Sequence, residues 1–435
     1  MMQAVIMAGG KGTRLVALTK DEIPKPMVPV AGKPLLLWQV ERLKENGITD
    51  IIMVIGHLGN KIREYFGDGE KFGVAIRYFE ETEPLGTAGS FYYLKDMIHG
   101  DRFVMMSGDL FFDIDFQRMI HFHEEKGAVA TLFVHPNGHP FDSDLLVLDH
   151  DDKITAFDSK HNVRNYWYEN CVNAGIFVFE KKICDYVPEP VKRNLENDVI
   201  KGMLEAGEPI YGYWSPEYLE DVGTVERVNQ TLADIERGVI AGKCLKNKQR
   251  CIFMDRDGTI NQYKGLVYKG EDFTLEDCAV DAIRKINQSG RLGIVITNQP
   301  VVARGLCEIE DVENIHKKME TLLGKEGVFL DDVFYCPHHP DKGYPEENPA
   351  YKTPCECRKP KTGMIQKAAE RYNIDLAGSW MIGDTTMDIQ TGINAGMRTA
   401  LVQTGEAGND KKYDVKPDLV CRDLLDAVEK ILQVD

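Results

Sequence analysis

Along the front of the chain, short all-apolar runs are separated by stretches in which apolar residues recur at helical spacing. Residues 4–7 (AVIM) form one such run and lead into Gly9 and Gly10, residues 34–46 follow with a helical pattern, and residues 51–55 and 103–106 are further runs. The last two close on Gly56-His57 and Ser107-Gly108-Asp109. Short apolar runs bounded by turn residues read as strands buried on both faces, and their alternation with helices predicts a mostly parallel sheet. A helical stretch over 225–237 precedes a polar, lysine-rich segment at 242–250, which reads as linker. At residue 251 the pattern restarts. CIFM ends on Asp255, residues 292–296 end on Thr297, WMI ends on Gly383-Asp384, and residues 399–402 make a fourth run. Ligands of open α/β sheets bind beyond the carboxyl ends of strands, so the Asp, Thr and Asp delivered there mark a site. The expectation is an α/β chain of two domains: residues 1–237 around a mixed sheet, and residues 250–435 around a doubly wound parallel sheet. Residues 238–249 would link them, and no internal repeat relates the halves.

The chain has 435 residues, 43% hydrophobic and 28% charged, which is the balance of a folded globular protein. Its net charge is −17, and neither half is basic: residues 1–240 carry 25 Lys and Arg against 38 Asp and Glu, and the rest carry 27 against 31. That excess opposes binding to nucleic acid or anionic lipid, so anionic ligands must be drawn in by local groups. No stretch has the apolar length of a membrane span. The opening MMQAVIMAGGKGTR lacks the basic, apolar and cleavage regions of a secretory signal, so a cytoplasmic location is expected. Ten cysteines are too sparse for a disulfide scaffold, yet Cys336, Cys355 and Cys357 crowd around His338 and His339.

Ala4 to Leu15, AVIMAGGKGTRL, is a strand followed by glycines whose backbone N–H groups can approach phosphate oxygens, with Lys11 and Arg14 adding charge. It lacks the ending of a Walker A loop and the spacing of a dinucleotide fingerprint. Further on come IPKPMVPVAGKPLL at 23–36, LGTAGS at 85–90, SGDLFFD at 107–113, NAGIFVF at 173–179 and EDVGT at 220–224. In this order the six motifs resemble the sugar-nucleotidyltransferases, with a Rossmann-like fold, over residues 1–237. The resemblance implies that Gly9, Gly10, Lys11, Gly12, Thr13 and Arg14 cradle a nucleoside triphosphate with Lys25, and that Asp109 and Asp221 hold Mg²⁺. It also implies that Gly86 and Thr87 lie near the base and ribose, Asn173 near the sugar, and Lys160 near the sugar phosphate. An ordinary solvated lysine is the alternative for Lys160, because Ser159 stands where the family often has an acid. Asp113 and Asp115 read as loop residues.

FMDRDGTIN at 253–261 places two carboxylates two residues apart after a strand. Asp255 can attack phosphorus while Asp257 gives a proton to the leaving oxygen, and a bound Mg²⁺ reconciles their repulsion. With Thr297-Asn298, Lys359, and Asp384 followed by Asp388, the set resembles the haloacid-dehalogenase superfamily of phosphatases. That resemblance implies that Thr297 and Asn298 hold the phosphoryl group and Lys359 balances its charge. Asp384 would ligate Mg²⁺ with Asp255 and Asp257, the latter through its main-chain carbonyl, and Asp388 would be an indirect neighbour.

CPHHP at 336–340 and CECRKPKTGM at 355–364 supply Cys336, His338, Cys355 and Cys357, a Cys₃His set with paired spacing that suits a closed, structural Zn²⁺ site. His339 reads as an exposed neighbour. With DRDGTIN, TNQ, ARG at 303–305 and GDTTMDIQ, residues 249–432 resemble the heptose 1,7-bisphosphate phosphatases, and histidinol-phosphate phosphatases share much of the pattern. Arg304 and Arg358 are candidates for the second phosphate, because a guanidinium grips phosphate as a fork. Pro300-Val301 and Thr385 depart from the family near the substrate entrance. The front resembles the mannose- and heptose-1-phosphate guanylyltransferase branch, with GTP as the preferred donor, although no single residue reads the base. The joint expectation is a bifunctional enzyme that removes the C7 phosphate of D-glycero-α-D-manno-heptose 1,7-bisphosphate and makes GDP-heptose. Its partners would be small molecules, with a homo-oligomer allowed.

Overall fold

The computed structural model describes residues 2–9, 19–20, 22–341, 343 and 346–434. Gly10, Lys11, Gly12, Thr13 and Arg14 of the expected phosphate loop lie outside them. The chain divides into two compact units. One comprises Met1–His135, Leu146–Asp158 and Asn173–Cys244, and the other Pro136–Leu145, Ser159–Val172 and Leu245–Asp435.

The first unit is built on a mixed, nine-stranded sheet. Its central strand, Gln3–Met7, runs parallel to Asp50–Ile55 on one side and Arg102–Ser107 on the other, with Met7 paired to both Val54 and Ser107. Val172–Glu180 joins antiparallel to Arg102–Ser107. The apolar runs at 4–6, 51–55 and 103–106 within the central strands are buried, as their uninterrupted patterning required. Their common register brings Gly9, Gly56 and Gly108 to one edge. A Cβ on Gly56 would lie 3.0 Å from Gly9 O, and a Cβ on Gly108 2.9 Å from Met7 O. A two-stranded antiparallel ribbon, Leu110–Asp113 with Tyr218–Asp221, pairs Asp221 with Leu110, and Val222 N donates to Asp109 O. Residues far apart in sequence thus deliver two aspartates to the same edge.

The second unit carries a six-stranded, wholly parallel sheet. Its order is Asp332–Cys336, Leu292–Asn298, Cys251–Met254, Trp380–Gly383, Arg398–Val402, Leu419–Cys421. The chain starts in the middle, builds outward one way, then returns to build the other. The crevice of such a sheet opens between the first and fourth strands, which are the strands that end on Asp255 and Asp384. Ile252, Met254, Val295 and Ile382 are buried without residual exposure.

Two sequence expectations change. Residues 238–249 are not a solvated tether: Val239–Lys243 is a short helix whose Val239 and Ile240 join an apolar cluster of the first unit. Gln249 is buried, and its backbone pairs with Asn373 and Asp375 in the second unit. The lysines gave the segment its polar look, but Val239, Ile240, Cys244 and Leu245 are apolar and buried. Asp113 is a strand residue rather than a loop residue, with its carboxylate 3.1 Å from Arg42 Nη2, whereas Asp115 caps the helix Phe116–Lys126 by accepting from Gln117 N.

Ile252→Ala leaves a hole at the centre of the parallel sheet and is expected to cost about 2–5 kcal/mol. Urea denaturation of the full chain measures it.

Candidate active sites

In the first unit, Lys25 opens the 3₁₀ turn Lys25–Met27 between two prolines, and its ammonium reaches both ribbon aspartates. It ion-pairs with Asp109 and lies 3.5 Å from Asp221 Oδ1. Burial works to raise the Asp109 carboxyl, yet the Lys25 ammonium and the Ser107 hydroxyl, 2.6 Å away, hold it below the ordinary carboxylate range. Asp221 is also gripped by Arg227, whose Nη1 is 3.1 Å from Oδ2. The EDVGT motif explains this geometry: Thr224 caps the helix Val225–Glu236 by accepting from Arg227 N, and the first helical turn points Arg227 back at Asp221. Two carboxylates converging on one ammonium form a donor set that fits a hard cation.

Gly86 has φ +76°, and a Cβ there would lie 2.3 Å from Arg193 O. Thr87 Oγ1 accepts from Leu195 N at 2.7 Å. Both residues therefore fasten the LGTAGS loop to residues 193–195. Asn173 is half-buried on its strand and accepts from Gly175 N at 3.4 Å. Lys160 is exposed and belongs to a segment of the second unit, where its backbone N donates to Asp144.

One residue escaped sequence reasoning. Glu81 follows the strand Ala75–Glu80, and its Oε2 lies 3.0 Å from where a Cβ on Gly9 would stand. Its Oε1 is buried with no hydrogen-bond partner among the described residues. Burial pushes the carboxyl up, partly offset by the Leu85 backbone N–H. Glu80 beside it points the other way and pairs with Arg63. In FEETEP the two glutamates look alike, and only strand alternation separates them.

In the second unit, Asp255 Oδ1 lies 2.9 Å from Lys359 Nζ, which also meets Asp388 Oδ1 at 2.6 Å. Asn298 holds Lys359 by its backbone: Lys359 N donates to Asn298 Oδ1 at 3.0 Å, and Asn298 Nδ2 donates to Lys359 O. The Asp388 carboxylate also caps the helix Thr386–Asn394, taking Thr385 N. Oxygens of Asp255, Asp384 and Asp388 all lie within 4.8 Å of one another. Burial, with the neighbouring acids, pushes Asp255 up to about 6 and Asp384 up to about 8. Burial works to lower the Lys359 ammonium, but Asp255 and Asp388 outweigh it and hold it above its ordinary value. Three carboxylates face one lysine, and Asp384 Oδ1 is buried without a partner among the described residues. That arrangement fits a divalent cation.

The Asp257 side chain is not part of this cluster, as an expected ligand role through its main-chain carbonyl requires. It meets Arg256 Nη2 at 2.9 Å, Asn261 Nδ2 at 3.0 Å and Gln299 Nε2 at 2.8 Å. Donors from these three residues hold the carboxylate. Arg256, fully buried between the two aspartates of the motif, also donates to His316 Nε2 at 3.1 Å. Burial and this guanidinium hold the His316 imidazole well below its usual range, so it stays neutral and accepts. A pattern that counts only the aspartates of DxD passes over Arg256. Thr297 is buried and accepts from Gln299 Nε2 at 2.9 Å.

Cys336, His338, Cys355 and Cys357 converge. Sulfur–sulfur separations are 3.1–3.5 Å, and His338 Nδ1 lies 3.4 Å from Cys357 Sγ and 3.8 Å from Cys336 Sγ. A tetrahedral zinc site has ligand–ligand edges of about 3.5–3.8 Å, a few tenths of an ångström wider than most of these separations, and the four donors are the ligand types and number that close on one such ion. His339, expected to be exposed, is 6% exposed. Its backbone N donates to Tyr351 O and its Nδ1 accepts from Asp341 N, which folds the imidazole inward. Burial, then Arg358, with Arg304 and Lys352 further off, depresses its basicity. The two arginines expected to hold a second phosphate therefore share one cationic neighbourhood, and Arg358 also donates to His338 O at 3.1 Å.

Residues 3–238 match the model of the nucleotidyl transferase family, and residues 356–427 match that of the HAD-hydrolase-like family. The chain is 33% identical over 261 residues to a UTP–glucose-1-phosphate uridylyltransferase of Synechocystis, covering 57% of this chain and 66% of that protein. It is 32% identical over 246 residues to a mannose-1-phosphate guanylyltransferase of Mycobacterium tuberculosis, covering 56% and 67%. It therefore spans about two thirds of the length of these two relatives. It is 37% identical over 182 residues to a D-glycero-β-D-manno-heptose-1,7-bisphosphate 7-phosphatase of Haemophilus ducreyi, covering 41% of this chain and 97% of that protein.

If the four converging donors bind zinc, elemental analysis of the purified protein should find about one zinc per chain, and Cys357→Ser should lose it and melt at lower temperature. A wild-type protein free of zinc, with unchanged melting in the variant, would contradict the assignment.

Proposed function

The chain belongs to the nucleotidyl transferase family through residues 3–238 and to the HAD-hydrolase-like family through its C-terminal part, and on that premise we propose that it carries two consecutive steps of nucleotide-heptose synthesis. The phosphatase removes the C7 phosphate of D-glycero-D-manno-heptose 1,7-bisphosphate. The nucleotidyltransferase then joins the resulting heptose 1-phosphate to GMP from GTP, releasing pyrophosphate. The observation that carries the reading is the pairing, in one chain, of a lysine-bridged aspartate pair with an aspartate-nucleophile site beside a Cys₃His loop. The product of the second site is the kind of acceptor the first site uses.

At the phosphatase site, an Asp255 carboxylate oxygen attacks the C7 phosphorus. The bond from phosphorus to the sugar oxygen breaks, and that oxygen takes a proton from Asp257. Water then attacks the phosphoaspartate, giving its proton to Asp257, and the bond to Asp255 breaks to release inorganic phosphate. Lys359 balances the phosphoryl charge, Thr297 and Asn298 orient it, and Arg304 and Arg358 face the C1 phosphate. Asp255, Asp384 and the Asp257 carbonyl would hold Mg²⁺, which supplies positive charge to the phosphoryl oxygens.

At the transferase site, the sugar phosphate oxygen attacks the α-phosphorus of GTP and the bond to the β-phosphate breaks. Lys25, and by the sequence motif Arg14 and the amides of Gly9 to Gly12, orient the triphosphate. Asp109 and Asp221 would hold a second Mg²⁺. Gly86 and Thr87 shape the nucleoside pocket, while Asn173 serves the sugar. Glu81 supports guanine as the base: a carboxylate only accepts, and guanine offers two adjacent N–H donors where uracil offers one.

Incubation of the full chain with the α- and β-bisphosphates, GTP and Mg²⁺, followed by mass, is expected to show phosphate, pyrophosphate and GDP-heptose. Rapid turnover of mannose 1-phosphate with no GDP-heptose would overturn the heptose reading. Glu81→Gln is expected to lower kcat/KM for GTP by about tenfold or more while changing that for UTP far less. An equal loss for both nucleotides would remove Glu81 from base selection.

A further inference from the structure

The two oxygens of the Asp384 carboxylate are treated differently. Oδ2 accepts from the backbone N–H of Glu406 at 2.7 Å, whereas Oδ1 is buried and receives no hydrogen bond from any described residue. The main-chain carbonyl of Asp384 is engaged as well, by Gly408 N at 2.7 Å. Both donors belong to residues 404–410, a strap between the strands Arg398–Val402 and Leu419–Cys421. One end of the strap is tied by the Thr404 hydroxyl to Gly258 O at 2.6 Å. The other is tied by Asp410, whose carboxylate takes the backbone N and the hydroxyl of Thr386 at 2.7 Å each. The Glu406 carboxylate accepts from the Tyr263 hydroxyl.

Two glycines let the strap come this close. Gly405 has φ +58°, and a Cβ there would lie 2.1 Å from Asp384 Oδ2. Gly258, in the nucleophile motif, has φ +76°, and its Cβ would lie 2.4 Å from the same oxygen. Each would also crowd the other glycine, at 2.8–3.1 Å from its Cα. No larger residue leaves room for the Glu406 amide to reach Oδ2.

We propose that the 404–410 strap is a positioning device for cation binding: the Glu406 amide occupies Oδ2 and so fixes Asp384 as a one-oxygen ligand that offers Oδ1. Mg²⁺ demands near-ideal octahedral geometry, and a carboxylate free to rotate would swing its second oxygen into the coordination sphere. Hydrogen bonds that orient ligands in this way are typically worth about 10–100-fold in metal affinity. The inference rests on the assignment of Asp384 to the phosphatase cation.

The test is Mn²⁺ binding to the full chain, read by electron paramagnetic resonance in an Asp109→Asn, Asp221→Asn background that removes the transferase carboxylate pair. Gly405→Ala is expected to weaken binding about 10–100-fold. Gly396→Ala places similar positive-φ strain in the same unit but outside the strap, at φ +73°, and its Cβ would meet nothing within 4 Å. It is expected to bind like the parent. Equal losses in both glycine variants would reduce the effect to backbone strain and overturn the proposal, as would parental affinity in Gly405→Ala. Asp384→Asn separates the two readings. If it also keeps parental affinity, the cation assignment falls with the strap; if it loses the ion while Gly405→Ala keeps it, only the strap's role falls.

Discussion

Carboxylates gathered at the ends of buried strands need cations beside them, and in each half of this chain one lysine bridges a pair. Lys25 stands between Asp109 and Asp221, and Lys359 between Asp255 and Asp388. The surrounding charge gives no help, since the whole chain carries −17. Each lysine is itself placed by constrained backbone: Lys25 by flanking prolines in a 3₁₀ turn, and Lys359 by the reciprocal hydrogen bonds with Asn298. The acidic excess and the anionic substrates proposed here are thus compatible. At each site a lysine offsets part of the acidic charge, and the substrate meets that local balance rather than the net charge.

The sequence reading reached the strands and the turn residues that close them because fully buried strands are written as uninterrupted apolar runs. It reached Asp255, Lys359 and the Cys₃His set for a different reason, since these chemistries require fixed residue types at short spacing. Residues that act across the fold were harder to see. Glu81 and Glu80 are chemically identical in the sequence, and only the alternation of a strand sends one beside Gly9 and the other to Arg63. Arg256 sits inside a motif that was read for its aspartates. His339 reads as an exposed neighbour in the sequence, but the turn to Asp341 and the bond to Tyr351 bury it.

The segments at 136–145 and 159–172 carry the same lesson at a larger scale. By sequence order they belong to the front domain, yet they fold with the second unit. Tyr168 N and O both bond the Thr321 hydroxyl, at 3.0 Å each, and Asn170 N reaches Glu320. Such pairings join positions about 150 residues apart, which no local pattern encodes. The six separated motifs of the front and the nucleophile motif of the back nevertheless name two chemistries, and the fold gives each its own sheet on which to assemble.

The central claim is that these are two working sites acting in series. Its most direct test uses Asp109→Asn and Asp255→Asn chains, fed heptose 1,7-bisphosphate, GTP and Mg²⁺, with GDP-heptose measured by mass. Each variant alone should fail at its own step, the first accumulating heptose 1-phosphate and the second leaving the bisphosphate intact, and an equimolar mixture should restore GDP-heptose. Formation of GDP-heptose by the Asp255→Asn chain alone from the bisphosphate, or no product from the mixture, would contradict the account.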